Sequence, residues 1–196
     1  MIAKTVLLVF AILLLPIQNS DAQDQKGRVE VFLSLGRHFV LNDLDPQPRD
    51  SDGYLGAHLL YNFTETQSIG VRYGSADYDG LPRRVGTNYD YEGVRYSAWV
   101  SDLYATYRYS LRKRKPLRIY FEFGLGVSEA IPPYDTGGKF ALSFAVGLKR
   151  LVGQHFSLGL ESRGVGFIQD LPPGSREDVN VTIAANEFTA LLGYMF

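Results

Sequence analysis

Apolar residues alternate with small or charged residues over most of this 196-residue chain. The clearest segment is 117–127, where the odd positions are apolar and the even positions carry arginine, tyrosine, glutamate and glycine. Successive side chains of a β-strand point to opposite faces of a sheet, so the pattern predicts a strand with one apolar and one polar face. The same alternation returns in 140–148 and 156–161.

The whole chain divides into eight predicted strands, and every proline after residue 22 falls between two of them. Proline cannot donate to a sheet ladder, so its positions support the division. The connections after the second, fourth and sixth strands are short, as in a barrel with tight periplasmic turns and longer external loops. We therefore predict an all-β fold, an eight-stranded antiparallel up-and-down transmembrane β-barrel. Its strands are expected at about 28–40, 53–63, 68–78, 94–110, 117–129, 139–150, 155–167 and 183–196.

The first residues predict a cleavable signal peptide. Lys4 precedes a short apolar run at 6–15, and small residues stand at Ser20 and Ala22. This order of charge, apolar core and cleavage site is typical of secretion signals, and the run is short for a membrane-spanning helix. We expect residues 1–22 to be the signal peptide and 23–196 to be the barrel domain, with both termini in the periplasm because the strand number is even.

Alternation alone does not say which face points outward, because a soluble barrel would turn its apolar face inward. The polar face combines small residues with charges, which suits a narrow barrel interior where opposite charges pair. Aromatic residues of the apolar face cluster at one set of strand ends, as in an interfacial girdle. We therefore expect lipid outside. The girdle residues are Tyr61, Phe63, Tyr107, Tyr109, Phe156, Tyr194 and Phe196.

The last predicted strand is amphipathic and ends in a free aromatic residue. This ending resembles the C-terminal targeting signature of bacterial outer-membrane barrels. The resemblance implies an assembly signal at Phe188, Leu192, Tyr194 and Phe196 that the outer-membrane assembly machinery recognises. With its eight strands, the mature chain resembles the OmpA/OmpX-type small barrels and opacity-like porin-family surface proteins, which implies a location in the bacterial cell outer membrane.

Charged residues on the polar face predict a lumen charge network. If Phe167 lies opposite Ile183, Arg163 falls opposite Glu187. We also expect Arg108 and Arg118 to approach each other across a tight turn, with Glu122, Asp102 or Glu161 to compensate them. An eight-stranded barrel has an interior only wide enough for side chains, which favours a plug of ion pairs over a pore. The predicted network comprises Glu30, Arg72, Asp102, Arg118, Glu122, Glu161, Arg163 and Glu187.

Catalytic and metal-binding residues are scarce. The chain has no Cys and three His, which excludes thiol chemistry and disulfides. His155 and Ser157 resemble the His-x-Ser of lipid A deacylases, but both are expected to face inward beside a periplasmic turn, which is the wrong face and the wrong end for that enzyme. His38 and His58 are expected to point inward near the outer end of neighbouring strands, where they form a weak candidate for a metal or proton site. We predict no catalytic residues, no metal and no cofactor.

The sequence predicts a non-enzymatic barrel that acts in envelope structure or surface interaction through its external loops. The alternatives are a narrow porin-like channel for small solutes, a lipid-modifying barrel enzyme and a soluble binding barrel. Expected partners are outer-membrane lipids, the assembly machinery and an unknown extracellular ligand. The formal charge of −1 disfavours nucleic acid. Loops 41–53 and 169–182 are acidic, and the turn at 112–115 is basic.

Overall fold

Eight long strands form the structure. It is a computed structural model that describes residues 25–40, 49–50, 53–81, 84–85, 88–89, 96–111, 117–131, 139–169 and 181–196. The strands are β1 Val29–Val40, β2 Gly53–Asn62, β3 Gln67–Leu81, β4 Tyr96–Ser110, β5 Leu117–Ile131, β6 Lys139–Val152, β7 Phe156–Gln169 and β8 Val181–Met195. Three further strands have two residues each, at Arg49–Asp50, Arg84–Val85 and Asn88–Tyr89. Within these described ranges, no helix is long and apolar enough to cross a membrane.

The eight strands close into an antiparallel barrel, as predicted. Each strand pairs with the next along the chain, and β8 pairs with β1 from Glu30–Met195 to Val40–Ala185. Following paired residues around the barrel from Glu30 leads back to β1 at Val40, ten residues further along. Such a stagger tilts the strands against the barrel axis, and with eight strands it leaves an interior that side chains can fill.

The connections differ in length between the two ends of the barrel, as the sequence predicts. The short ones span 63–66, 111–116 and 153–155 and lie at the same end as both chain termini. We call that end the lower end and the opposite end the upper end. Gly153 has a φ of 67° in its three-residue connection, a left-handed conformation that glycine adopts without strain. The predicted signal peptide, the turn 112–115 and most of the acidic loops lie outside the described residues.

The apolar face points outward and the polar face points inward. Phe121, Phe123 and Leu142 are 38 %, 45 % and 43 % exposed, whereas Glu122 and Arg163, on the other face of the sheet, are 1 % and 0 % exposed. The predicted orientation is therefore confirmed. A soluble barrel with an apolar interior would show the reverse distribution.

Aromatic rings inside the barrel lie on glycines of neighbouring strands. Three of these rings occupy the space where a glycine Cβ would be: Tyr120 at Gly147, Tyr54 at Gly74 and Phe32 at Gly193. Tyr120 has no freedom to withdraw, because its hydroxyl donates a 2.7 Å hydrogen bond to Glu161 and the Arg108 guanidinium lies 3.9 Å from its ring centre. Glycine at these positions therefore lets a narrow lumen hold large rings.

Replacing Gly147 with alanine should destabilise the barrel, because the new methyl group collides with the fixed ring of Tyr120. Overpacking of this kind costs about 1–3 kcal/mol. Urea unfolding of the purified protein in lipid vesicles measures the loss. Gly166→Ala is the matched control, since a Cβ there meets no atom within 4 Å. Equal losses in the two variants would contradict this packing.

Candidate functional site

The lumen is the candidate site, and its lower end is polar. Glu30 accepts a 2.7 Å bond from the Lys149 ammonium and a 2.8 Å bond from the Ser157 hydroxyl. Arg118 donates a 2.6 Å bond to the side chain of Gln25, just before β1. Arg118 also donates to the backbone oxygen of Glu65 at 3.3 Å. The polar side chains at the lower end are thus held by partners from distant parts of the chain.

An apolar layer lies above this lower end. Phe32, Leu60, Tyr120 and Leu191 come from four different strands and pack into one buried cluster. Their exposed fractions are 3 % or less. The Arg108 guanidinium lies against two rings of this layer, 5.1 Å from the ring centre of Phe32 and 3.9 Å from that of Tyr120.

Six charged side chains meet in the middle of the lumen and form what we call the central network: Arg72, Arg108, Arg163, Glu122, Glu161 and Glu187. Each is no more than 3 % exposed. Positive and negative charges are equal in number. Equal charge is needed here because an unpaired ion away from water is strongly destabilising.

Glu161 is the centre of this network. It accepts hydrogen bonds from Arg72 at 2.5 Å, from Arg163 at 3.1 Å and from the Tyr120 hydroxyl at 2.7 Å. Arg108 lies 3.7 Å away. One carboxylate of β7 is therefore linked to side chains of β3, β4 and β5.

The remaining pairs extend the network across the barrel. Glu122 pairs with Arg163 and accepts a 2.7 Å bond from Arg108. Glu187 accepts a 3.0 Å bond from Arg72. Charge-assisted bonds of this kind hold opposite walls at fixed distances.

A second apolar layer lies toward the upper end. The Tyr104 ring packs with Ala141, Val165 and Ala185 from the opposite side of the barrel. The Tyr104 hydroxyl is 3.4 Å from the carboxylate of Asp102. The ionic middle of the lumen thus lies between two apolar layers.

The structure places every residue of the predicted lumen network inside the barrel. Glu30, Arg72, Asp102, Arg118, Glu122, Glu161, Arg163 and Glu187 are each 3 % exposed or less. Arg72, Glu122, Glu161, Arg163 and Glu187 are brought together in the central network, and Glu30 and Arg118 lie at the lower end. Asp102 lies nearer the upper end, beside the Tyr104 hydroxyl. The expected pairing of Arg163 with Glu187 and of Phe167 with Ile183 is present.

The prediction that Arg108 and Arg118 approach each other is wrong. Arg108 lies directly opposite Glu122, and Arg118 bonds to Gln25 instead. Asp102 compensates neither arginine among the described residues. Arg108, Lys149 and Tyr120 are buried in the lumen as well. They are missing from the predicted network, although each stands at an inward position of the same alternation.

The histidines also differ from expectation. His38 and His58 are both buried, but His38 lies opposite Glu187 and His58 lies opposite Phe32, which is six positions earlier on β1. His58 is 2.9 Å from the Thr106 hydroxyl. The two rings therefore lie at different depths and do not share a site.

The inward position expected for His155 is wrong. Its ring is exposed, stacks on Tyr194 and lies 2.9 Å from the backbone oxygen of Met195. Ser157 does point inward and donates to Glu30. The two side chains thus have separate partners on opposite sides of the wall. In the part of the chain that the structure describes, no group of three acidic or histidine side chains is placed to hold a metal ion.

The last strand carries an outward aromatic edge. Phe188, Leu192, Tyr194 and Phe196 are between 37 % and 68 % exposed. The Tyr194 ring contacts Phe156 and Phe196 edge-on, with centroid distances of 5.2 and 4.9 Å. These rings form an aromatic cluster at the lower rim, where β8 ends.

Comparison with known families agrees with this architecture. Residues 7–196 match the family model of the outer membrane protein beta-barrel domain. The chain belongs to this family. Its apolar outer face and its closed sheet are what a lipid environment requires, because lipid offers no hydrogen bonds to a free sheet edge. Among curated proteins, none matches the chain in sequence.

Solved structures that share this fold include proteins named as outer-membrane, surface and attachment proteins. Neisserial surface protein A has a TM-score of 0.64 at 12 % identity, covering 87 % of this chain and 100 % of its own. OprG from Pseudomonas aeruginosa has a TM-score of 0.57 at 9 % identity, and the match covers 89 % of this chain and 99 % of OprG. The attachment invasion locus protein Ail of Yersinia pestis, in complex with a heparin analogue, has a TM-score of 0.52 at 12 % identity. The match covers 87 % of this chain and 99 % of Ail. At these identities the likeness concerns the fold alone.

Glu161→Gln should be strongly destabilising, because it leaves the buried guanidinium groups around it without a full countercharge. Breaking a buried ion pair from one side costs about 3–5 kcal/mol. Urea unfolding in lipid vesicles measures this loss. Glu129→Gln is the matched control, since Glu129 is half-buried outside the network. A loss under 1 kcal/mol in Glu161→Gln, below the range for buried pairs, would contradict the role of Glu161.

Proposed function

We propose that this protein is a non-enzymatic outer-membrane barrel that acts in envelope structure or surface interaction through its external loops. The observation that supports this most directly is the filled lumen. Two apolar layers enclose the central network, and the side chains of all three are almost completely buried. A barrel built in this way uses its interior for stability, which leaves the connections at its ends to meet other molecules.

The upper connections are the proposed contact surface. They are longer than the lower ones, and loop 41–53 carries four aspartates against one arginine. In this proposal they face the outside and both termini face the periplasm. Neisserial surface protein A and the attachment invasion locus protein Ail share the fold, and their names refer to the cell surface and to attachment. The acidic loops here favour a basic or uncharged extracellular ligand over a polyanion.

Two further partners belong to the same proposal. Outer-membrane lipids would cover the apolar outer face, and the assembly machinery would recognise the last strand through Phe188, Leu192, Tyr194 and Phe196. The exposed aromatic rim at Tyr194 and Phe196 supports this reading. The composition still disfavours nucleic acid.

A narrow channel for small solutes is the second candidate. The polar groups of the central network and the lower end favour it, since charged groups line such pores. The apolar layers above and below the network disfavour it, because water would have to pass the Tyr120 and Tyr104 rings. Steady single-channel conductance in a planar bilayer would favour the channel over the surface protein.

A lipid-modifying enzyme based on Ser157 has less support. A His-x-Ser site of this kind needs its histidine within hydrogen-bond reach of its serine, on the face of the barrel that meets lipid. Here Ser157 donates to Glu30 inside the lumen, and His155 contacts Tyr194 and Met195 at the lower rim. We therefore assign no catalytic residues.

Single cysteines test the proposed orientation, because the natural chain has none. We expect a membrane-impermeant maleimide to label Ser51→Cys, between β1 and β2, in intact cells. Gln154→Cys is the matched variant in an exposed lower turn and should be labelled only after the outer membrane is permeabilised. Labelling of Gln154→Cys but not of Ser51→Cys in intact cells would contradict the proposal.

A further inference from the structure

A hollow of about 390 Å³ lies in the outer wall of the barrel, where β6, β7 and β8 meet. Gly164 forms its base, because the strand pairing places Phe144 on one side of this glycine and Asn186 on the other. Phe123 stands beyond Phe144 on β5, and both phenylalanine rings are exposed on the apolar face. The hollow therefore opens toward the surroundings of the barrel and not toward the lumen.

The fold does not require glycine at the base of this hollow. Among the described glycines, only Gly27 and Gly153 have a positive φ. A Cβ on Gly164 would come no closer than 3.6 Å to any atom of the neighbouring strands, which is ordinary van der Waals contact, whereas a Cβ on Gly147 would collide with the Tyr120 ring. Glycine weakens the interior of a strand, and it is often found where another molecule or backbone approaches closely. Gly164 thus indicates that the outer wall has a neighbour here.

Two polar side chains of the same wall point outward among apolar ones. Ser162 is exposed and Asn186 is half-buried, and neither forms a side-chain hydrogen bond in the part of the chain that the structure describes. Ser162 stands six residues above Phe156 of the lower rim, about 20 Å along the strand and about 15 Å in height at the usual tilt. It therefore lies in the middle of an apolar band that is about 25 Å tall in such barrels. Lipid tails offer neither side chain a hydrogen bond.

The tilt of the strands places these two polar residues on one vertical line. Ser162 is paired with Phe188, and Asn186 lies two residues above Phe188 on β8. A stagger of ten residues over eight strands tilts the strands by about 40°. With strands about 4.8 Å apart and residues about 3.4 Å apart along a strand, Ser162 comes about 8 Å below Asn186 with almost no sideways displacement. Both residues therefore face a neighbour that approaches the barrel along this line.

We propose that this part of β7 and β8 is the contact between two copies of the chain in the membrane. Two copies inserted in the same direction are related by a twofold axis along the membrane normal, which brings identical residues together at equal height. The line through Asn186 and Ser162 is such an axis. An amide and a hydroxyl each contain a donor and an acceptor, so each group bonds to its counterpart in the second copy. The hollow at Gly164 lets the two walls approach closely, as small residues do between membrane segments.

A lipid acyl chain is the other neighbour that this surface meets. It would fill the hollow beside Phe144, but it would leave the amide of Asn186 and the hydroxyl of Ser162 without hydrogen bonds. A second copy fills the hollow and bonds to both groups, which is why the observations favour it. This inference holds for a surface protein and for a channel alike, so it stands apart from the proposed function.

Disulfide cross-linking tests the contact, because the natural chain has no cysteine. Ser162→Cys puts a thiol on the proposed axis, and a disulfide needs Cα atoms about 4.4–6.8 Å apart. Oxidation of this variant in lipid vesicles with a membrane-permeant oxidant should give a covalent dimer. Ala105→Cys is the matched control, since Ala105 is exposed on β4 at the other side of the barrel, and it should stay monomeric. Equal dimer yields from the two variants, or no dimer from Ser162→Cys, would overturn the proposal.

Energy transfer between copies labelled at Gln154→Cys, in the exposed turn below β7, measures the affinity of the contact in vesicles. Transfer should rise with the protein-to-lipid ratio and exceed the level of random mixing. Asn186→Leu should weaken the association at least about threefold, since a hydrogen bond between membrane segments contributes about this much, and Ala105→Leu should leave it unchanged. Heat-modifiable migration in electrophoresis checks that each variant is folded. Transfer at the level of random mixing, or unchanged affinity in folded Asn186→Leu, would overturn the proposal and assign the hollow to lipid.

Discussion

The structure depends on one constraint, which is that lipid supplies no hydrogen bonds to a polypeptide backbone. Pairing β8 with β1 removes the free edges of the sheet. Once the sheet is closed, the two faces of every strand have different surroundings. Apolar side chains such as Phe123 and Leu142 point outward, and ionic ones such as Glu122 point into a space that eight strands keep narrow.

The narrow lumen has to be filled, and it is filled in layers. Charged groups away from water are tolerated only when opposite charges pair with them, which is why three arginines and three glutamates meet in one network. Rings above and below them fit because glycines such as Gly147 leave room. The barrel thus has a core of its own, separate from its lipid contacts. This core connects fold to function, since it leaves the ends of the barrel as the parts free to interact.

Much of the fold is predictable from sequence because the strand period, the prolines and the lengths of connections are local signals. The pairing of Arg163 with Glu187 was also predictable, since neighbouring strands and their connection set it. The contact of Arg72 with Glu161 was not, because it crosses the lumen and depends on the stagger of the whole barrel. The same stagger puts His58 beside Thr106, far below His38. Arg118 was misplaced because its partner, Gln25, precedes the first strand.

The central claim is that the apolar face meets lipid while the polar face fills the lumen. Single cysteines along β6, in a chain that has none of its own, test it most directly with a lipid-soluble thiol reagent in vesicles. The account predicts rapid labelling at Leu142, Phe144 and Val146, which are 42–53 % exposed, and slow labelling at the buried positions Ala141, Ser143 and Ala145. Rapid labelling at the second set and slow labelling at the first would contradict the account.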